Sequence, residues 1–209
     1  MISDKHQPIK GIPMRPGSSR LSALLGLLLI STWPALASAA GAFTLKGGVM
    51  NLWDDTQVVD GTLRSFDETS YRTFGIAWEH RRAHGASFGV EYLNYRNEFT
   101  PPSTPDPGLA RTQVLQFVTR KYFDASALVH PFMGVGIGTS QTTVSFDTPT
   151  SFTKYDWNLA LQVNAGVELR LDNNFALAME VKSLYHDVSS SREYNPSATG
   201  VYLGMGFLF

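Results

Sequence analysis

The chain has 209 residues, 43% of them hydrophobic and 12% aromatic, with 18 Gly, 11 Pro and no Cys, and its 17 Lys+Arg nearly balance 18 Asp+Glu to a formal charge of −1. One domain suits this length, two at most. The lack of Cys excludes disulfides and Cys-ligated zinc, the lack of basic excess argues against nucleic-acid binding, and the apolar content argues against disorder of the whole chain.

The first predicted element is a targeting segment. Leu21 to Ala39 reads LSALLGLLLISTWPALASA, with an apolar run from Leu21 to Ile30, Arg15 and Arg20 before it, Pro34 breaking it, and small residues at the exit. A positive start, an apolar middle and a small-residue exit make a secretory signal peptide. Residues 1–39 are therefore expected to be removed, with Ala37, Ala39 and Ala40 framing the cut. Met14 offers a second start, giving a 26-residue peptide. The competing reading is an uncleaved anchor, but a helical span needs about 20 apolar residues and the second half of this stretch carries Ser, Thr and Pro. Removing Lys5, Lys10, Arg15, Arg20 and Asp4 leaves 13 basic and 17 acidic residues over the 170 of a mature domain, 40–209. No other apolar run there is long enough for a membrane helix.

From residue 42 to the C-terminus the chain alternates with period two. Phe43, Leu45 and Val49 oppose Thr44, Lys46 and Gly48. Phe74, Ile76 and Trp78 oppose Thr73, Gly75, Ala77 and Glu79; Phe88, Val90 and Tyr92 oppose Ser87, Gly89 and Glu91. The stretch 111–123 is mixed, with Leu115 and Phe117 on one face and Val114 and Val118 on the other; the first pair is assigned outward. Met133, Val135 and Ile137 oppose Gly134, Gly136 and Gly138. From Tyr155 to Leu171 every odd position is apolar or aromatic and no even one is a large apolar residue. Phe175, Leu177, Met179 and Val181 oppose Ala176, Ala178, Glu180 and Lys182, and Val201, Leu203, Met205, Phe207 and Phe209 oppose Tyr202, Gly204, Gly206 and Leu208. Strand side chains point to opposite faces in turn, so these are eight strands with two unlike sides. The links 54–70, 97–111, 144–154 and 187–199 are long and polar; 82–86, 124–131 and 172–174 are short. That is the layout of an all-β, eight-stranded antiparallel transmembrane up-and-down barrel, with both ends of the domain on the short-turn side, the periplasm.

Alternation alone does not say which face is inside, since a soluble lipocalin-like barrel buries its apolar face. Three features favour apolar side chains facing lipid. The polar set contains very small residues (Gly134, Gly136, Gly138, Gly204, Gly206, Ala176, Ala178), which suit a narrow eight-stranded interior. Aromatics gather at strand ends as two girdles: Trp53, Tyr71, Tyr155 and Trp157 by the long loops, and Tyr122, Phe123, Phe175, Phe207 and Phe209 by the short turns. No charge falls mid-strand on the apolar face, where Lys or Arg would cost about 2–4 kcal/mol. A closed sheet also pairs every backbone group that hydrocarbon would otherwise leave unsatisfied.

The chain resembles, over residues 42–209, the small eight-stranded outer-membrane β-barrel proteins, the OmpA/OmpX-like and opacity-protein-like group. The ending YLGMGFLF carries most of this, with Gly204, Met205, Phe207 and Phe209 at the positions of the family's terminal strand; PFMGVGIG (131–138) looks like the family's fifth strand. The resemblance implies residence in the cell outer membrane among its lipid and lipopolysaccharide, and implies the barrel-assembly machinery as the reader of that ending. No peptidoglycan-binding domain is expected to follow.

The inward set contains Lys46, Glu79, Glu91, Glu168, Arg170, Glu180 and Lys182, with Asn158, Gln162 and Asn164. Charges in a narrow lumen must be paired or hydrated, so the expectation is a polar network that plugs the barrel. A narrow small-solute channel is the alternative, and acid–base work by Glu168 and Glu180 lacks substrate access. Lipid A deacylases, which this chain resembles in length and strand count, carry a His and a Ser two apart on the lipid-facing side of the seventh strand. Here His186 is followed two on by Val188, shares the inward set, and is placed at the rim, while Ser183 faces lipid. No catalytic set, metal or cofactor is expected; His80, His84 and His130 read as turn residues. The loops are the remaining candidates for a surface ligand: the first with Asp54, Asp55, Asp60, Asp67 and Glu68, suited to divalent cations or basic partners, and the second with the stiff TPPSTPDPG, 100–108.

Overall fold

The computed structural model describes residues 41–53, 56–59, 62–65, 70–82, 85–99, 108–123, 126, 128–146, 153–187 and 196–209. The expected signal segment and its cleavage residues Ala37, Ala39 and Ala40 lie outside them. Ten strands occur among the described residues: β1 (Gly41–Leu52), β2 (Thr56–Val59), β3 (Thr62–Ser65), β4 (Ser70–Arg81), β5 (Ala86–Phe99), β6 (Gly108–Tyr122), β7 (Val129–Phe146), β8 (Thr153–Arg170), β9 (Phe175–Asp187) and β10 (Ala198–Leu208). Eight of them close an antiparallel barrel in the order β1-β10-β9-β8-β7-β6-β5-β4, and β2 and β3 form a separate hairpin. The hairpin sits in the first long link, which sequence alone leaves as a plain loop. Its strands are only four residues long, too short for the alternation test to detect.

The register fixes the barrel's geometry. A line of paired residues runs from Gly41 through His80, Phe88, Thr119, Val135, Val163, Ser183 and Thr199, and returns to β1 at Asn51. One circuit therefore displaces β1 by ten residues. With a rise of about 3.3 Å per residue and strands about 4.8 Å apart, that stagger tilts the strands by about 40° and leaves an interior that side chains can fill. The seam is closed at the short-turn end, where Gly41 N donates to Phe209 O at 2.6 Å and Phe209 N to Gly41 O at 3.0 Å.

Local chemistry ends the strands where the composition indicates. Between β8 and β9, Asp172 Oδ1 accepts from the amides of Asn174 and Phe175, both at 2.7 Å, an Asx-type turn. Between β4 and β5, Gly85 takes a positive φ of 73°, which a side chain would resist. At the other end the strands run further than expected: residues 97–99, 108–111, 144–146 and 153–154 continue the sheet. Polar composition there is compatible with strand because the barrel projects beyond the lipid.

The exterior is a continuous apolar surface. Leu45, Val49, Phe74, Phe88, Val135, Ile137, Leu161, Val163, Met179, Val201, Leu203 and Met205 are all exposed, and Phe117 reaches 72%. The mixed strand β6 does turn Leu115 and Phe117 outward and buries Val114 and Val118. Two girdle aromatics are corrected: Tyr71 and Tyr122 are buried inside the barrel. Each shares the parity of its strand's inward residues, Thr73 on β4 and Arg120 on β6, and strand parity overrides nearness to a strand end. Trp53, Phe123, Phe175, Phe207 and Phe209 do face outward; the side chains of Tyr155 and Trp157 lie outside the described residues.

Candidate functional site

The lumen has two storeys. Towards the short turns it is ionic. Glu91 on β5 accepts from Lys46 Nζ at 2.7 Å, from Arg120 Nη2 at 2.6 Å and from Lys182. Lys46 also donates to Glu180 at 2.6 Å, and Asn164 donates to the same carboxylate. Arg120 bridges on to Glu79, which further accepts from Ser87 at 2.9 Å and Tyr122 at 3.0 Å. Arg81 grips Glu168 with two bonds of 2.7 and 2.6 Å and lies over the Tyr122 ring at 4.5 Å. Four buried cations (Lys46, Arg81, Arg120, Lys182) thus meet four carboxylates (Glu79, Glu91, Glu168, Glu180) in one connected set among the described residues, with the part-exposed Arg170 joined at its edge through Glu168. Such one-to-one charge balance is what a low-dielectric interior demands.

Of the residues singled out in the sequence, Lys46, Glu79, Glu91, Glu168, Glu180 and Lys182 come together here. Arg170 instead stands at the short-turn mouth, 36% exposed, with its Nε 3.2 Å from Glu168. There it lines a cavity of about 510 Å³ with Arg81, Arg82, Tyr122 and Asn173. Sequence reasoning missed Arg81 and Arg120. Their parity, shared with Glu79 and with Val118, was the available signal. The inward glycines of β7 make room for the network. A Cβ on Gly136 would stand 2.7 Å from Gln162 Cγ, and one on Gly134 would stand 2.5 Å from Asn164 Oδ1 and 2.7 Å from Arg120 Cγ.

Towards the long loops the lumen is apolar and aromatic. Met50, Leu52, Leu93, Val114, Ala160, Leu184 and Ala198 pack with Tyr71, Tyr95 and Tyr202. Tyr71 and Tyr95 stack at 5.2 Å, and Tyr202 Oη sits 2.8 Å from Met50 Sδ. His186 belongs to this layer and is not a rim residue: β9 continues through Asp187 and carries it inside, 1% exposed. Its Nδ1 lies 2.7 Å from Ser140 Oγ and its Nε2 3.0 Å from Tyr95 Oη. Tyr95 donates its single proton to Pro196 O at 3.1 Å, so it accepts from Nε2–H, and Nδ1 accepts the Ser140 hydroxyl.

That is the contact a serine nucleophile makes with its base, and it was invisible in sequence because 46 residues separate the pair. Ser140 is wholly buried, however, and no carboxylate touches His186 among the described contacts. The arrangement holds β5, β7, β9 and the end of the last long link together.

At the end of the chain, Met205, Phe207 and Phe209 form an outward apolar row on and just after β10, with Gly204 on the inner side. Asp54, Asp55, Asp60, Asp67, Glu68 and residues 100–107 lie outside the described residues. No cluster of three or more His, Asp or Glu suited to a metal occurs among the described residues.

The family profile described as Opacity family porin protein matches residues 81–209. Among solved structures, the chain is similar to the attachment invasion locus protein Ail of Yersinia pestis (13% identity, TM-score 0.53, covering 82% of this chain and 99% of that one). It is also similar to Neisserial surface protein A (14%, 0.58, 81% and 97%) and to the N-terminal β-barrel domain of Pseudomonas aeruginosa OprF (11%, 0.52, 81% and 97%). A second structure of Ail, matched at 15% identity, TM-score 0.51 and 81% and 99% coverage, holds the heparin analogue sucrose octasulfate. No curated protein matches the chain in sequence.

Proposed function

Because this chain belongs to the Opacity porin family of the cell outer membrane, we propose that it is a non-enzymatic envelope protein whose sealed barrel displays its long loops to a partner outside the cell. The observation carrying this reading is the filled lumen. Lys182, Glu91, Leu93, Leu184 and His186 are at most 1% exposed, which supports a packed interior over an open conduit. Binding chemistry then falls to the loops, which a rigid scaffold positions. Ail holds a sulfated saccharide; here the first loop carries Asp54, Asp55, Asp60, Asp67 and Glu68, which favours a divalent cation or a basic surface instead. Residues 1–39 serve as the removable export signal, the domain being 40–209. The row of Met205, Phe207 and Phe209 presents the assembly machinery with an apolar edge.

Planar-bilayer recording tests the sealed lumen: the folded protein is expected to give no discrete conductance steps, and regular steps would overturn the reading in favour of a small-solute channel. The hydrolase alternative is tested by incubating purified protein with lipopolysaccharide. Release of acyl chain that His186→Ala abolishes would establish an enzyme and displace this reading.

A further inference from the structure

The outer face carries one cationic feature that its lipid-facing setting does not explain. Arg96 on β5 pairs in register with Arg111 on β6. Thr73 on β4 pairs with Tyr95 on β5, so Arg72 stands one step further along, opposite Arg96. All three side chains are exposed and have outward parity. Three arginines thus lie side by side across three neighbouring strands, roughly 5 Å apart at their Cβ atoms. Like charges directly opposite one another destabilise a sheet, so this row is unfavourable unless something anionic lies against it. The only ion pair there among the described residues is Arg96 with Glu98 at 3.5 Å, both well exposed; such a surface pair contributes little. Arg72 and Arg111 have no carboxylate partner among the described residues.

The height of the row identifies its surroundings. Immediately below it on the same face are Phe74, Asn94 and Gln113, and one step lower Tyr92 and Leu115. Beside the row, at the end of neighbouring β1 and on β9, the girdle by the long loops is marked by Trp53 and Tyr185, whose rings pack at 6.4 Å. Arg72 pairs with Val49 on the neighbouring strand β1. The register line climbs ten residues per circuit of eight strands, or about 3 Å of height per strand at this tilt. Arg72, Arg96 and Arg111 therefore ascend from about the level of Tyr185 to about that of Trp53. Where β1 and β9 present aromatic rings to the headgroups, β4, β5 and β6 present guanidinium groups.

We infer that Arg72, Arg96 and Arg111 form a binding site for the phosphorylated headgroup of an outer-leaflet lipid, the lipid A part of lipopolysaccharide. Guanidinium forks pair bidentately with phosphate oxygens, and a bisphosphorylated headgroup spans adjacent arginines as a free monophosphate does not. Acyl chains of the same lipid would lie along Phe74 and Leu115. This rests on the outer-membrane placement of the barrel and adds to it a defined side that holds the lipid.

The test uses the full domain, 40–209, refolded into phosphatidylcholine nanodiscs containing lipid A or its dephosphorylated form, with bound lipid counted by native mass spectrometry after detergent extraction. The wild type is expected to retain lipid A and to lose the dephosphorylated form. Arg72→Gln/Arg96→Gln/Arg111→Gln should retain on the order of tenfold less, while Arg82→Gln, at the short-turn end, should match the wild type. Equal retention by the triple variant, or equal retention of dephosphorylated lipid, would overturn the proposal. The heat-dependent gel shift of the same samples reports folding separately. Folded protein that holds no lipid A refutes the site alone, whereas failure to enter any bilayer refutes the membrane placement beneath it.

Discussion

Glu91 is the carboxylate on which the ionic storey turns. It accepts from Lys46 at 2.7 Å, from Arg120 at 2.6 Å and from Lys182, and is 1% exposed. At an effective dielectric near 20, each contact at that distance has a gross attraction of about 6 kcal/mol, much of it offset by the desolvation of the carboxylate itself. Glu91→Gln keeps the shape and removes the charge, leaving four buried cations against three carboxylates. Breaking a buried pair from one side costs about 3–5 kcal/mol, which with a urea slope of about 1–3 kcal/mol per molar lowers the unfolding midpoint by at least about 1 M. The assay is equilibrium urea unfolding from lipid vesicles, followed by tryptophan fluorescence and by the heat-dependent gel shift. Adding Lys182→Met restores balance at three against three, so the double variant should recover a coupling of about 1–3 kcal/mol. A loss under about 1 kcal/mol for Glu91→Gln, or a double variant no more stable than the single, would show that the charges are screened by water rather than by one another.

Three further outcomes are expected. Leu161→Arg puts a cation on the lipid side of β8, opposite Ile137 and Tyr185, and should cost about 2–4 kcal/mol of membrane stability, read as loss of the heat-modifiable, membrane-inserted form; normal insertion would contradict the outward assignment. Deleting Phe209 removes its ring from the Phe207 stack at 6.3 Å and the closing backbone bonds to Gly41, and should sharply reduce assembled protein in the outer membrane; undiminished assembly would sink the proposed signal. Intact-mass measurement of protein from the membrane fraction should find a chain starting at Ala40, and retention of residues 1–39 would refute the export reading.

The barrel was legible because lipid imposes a harsher binary rule than water does. Clean strands such as β8 and β9 separate Leu161 and Val181 from Gln162 and Lys182 at every step, and period two is enough to give strand, face and barrel. β6 was harder to read: Val114 and Val118 are both apolar on the inward side, Val114 as part of the apolar upper storey and Val118 as an apolar residue beside the ionic one. That same packing of Leu93, Leu184 and Met50 hid His186 and Tyr95 among greasy neighbours. Arg120 was overlooked for a related reason. It stands next to Lys121, and with the faces of β6 mixed in composition, strand parity alone had to decide which of the two turns to Glu79 and Glu91 and which to the surface. The hairpin of β2 and β3 left no trace because four residues give too few alternations. The arginine row is a register property too, since Arg72, Arg96 and Arg111 are distant in sequence and meet only when β4, β5 and β6 pair.

The central claim is that apolar side chains point to lipid and ionic ones fill the lumen. The natural chain has no cysteine, so single cysteines can be placed at will and spin-labelled. The most direct measurement is the accessibility of labels at 159, 161 and 163 against 158, 160 and 162 on β8, in lipid nanodiscs, to dissolved oxygen and to a water-soluble nickel chelate. High oxygen and low chelate accessibility at all three odd positions, with both low at the even ones, is the result expected of this barrel. Chelate access at the odd positions, or oxygen access confined to the even ones, would mean that the faces are reversed.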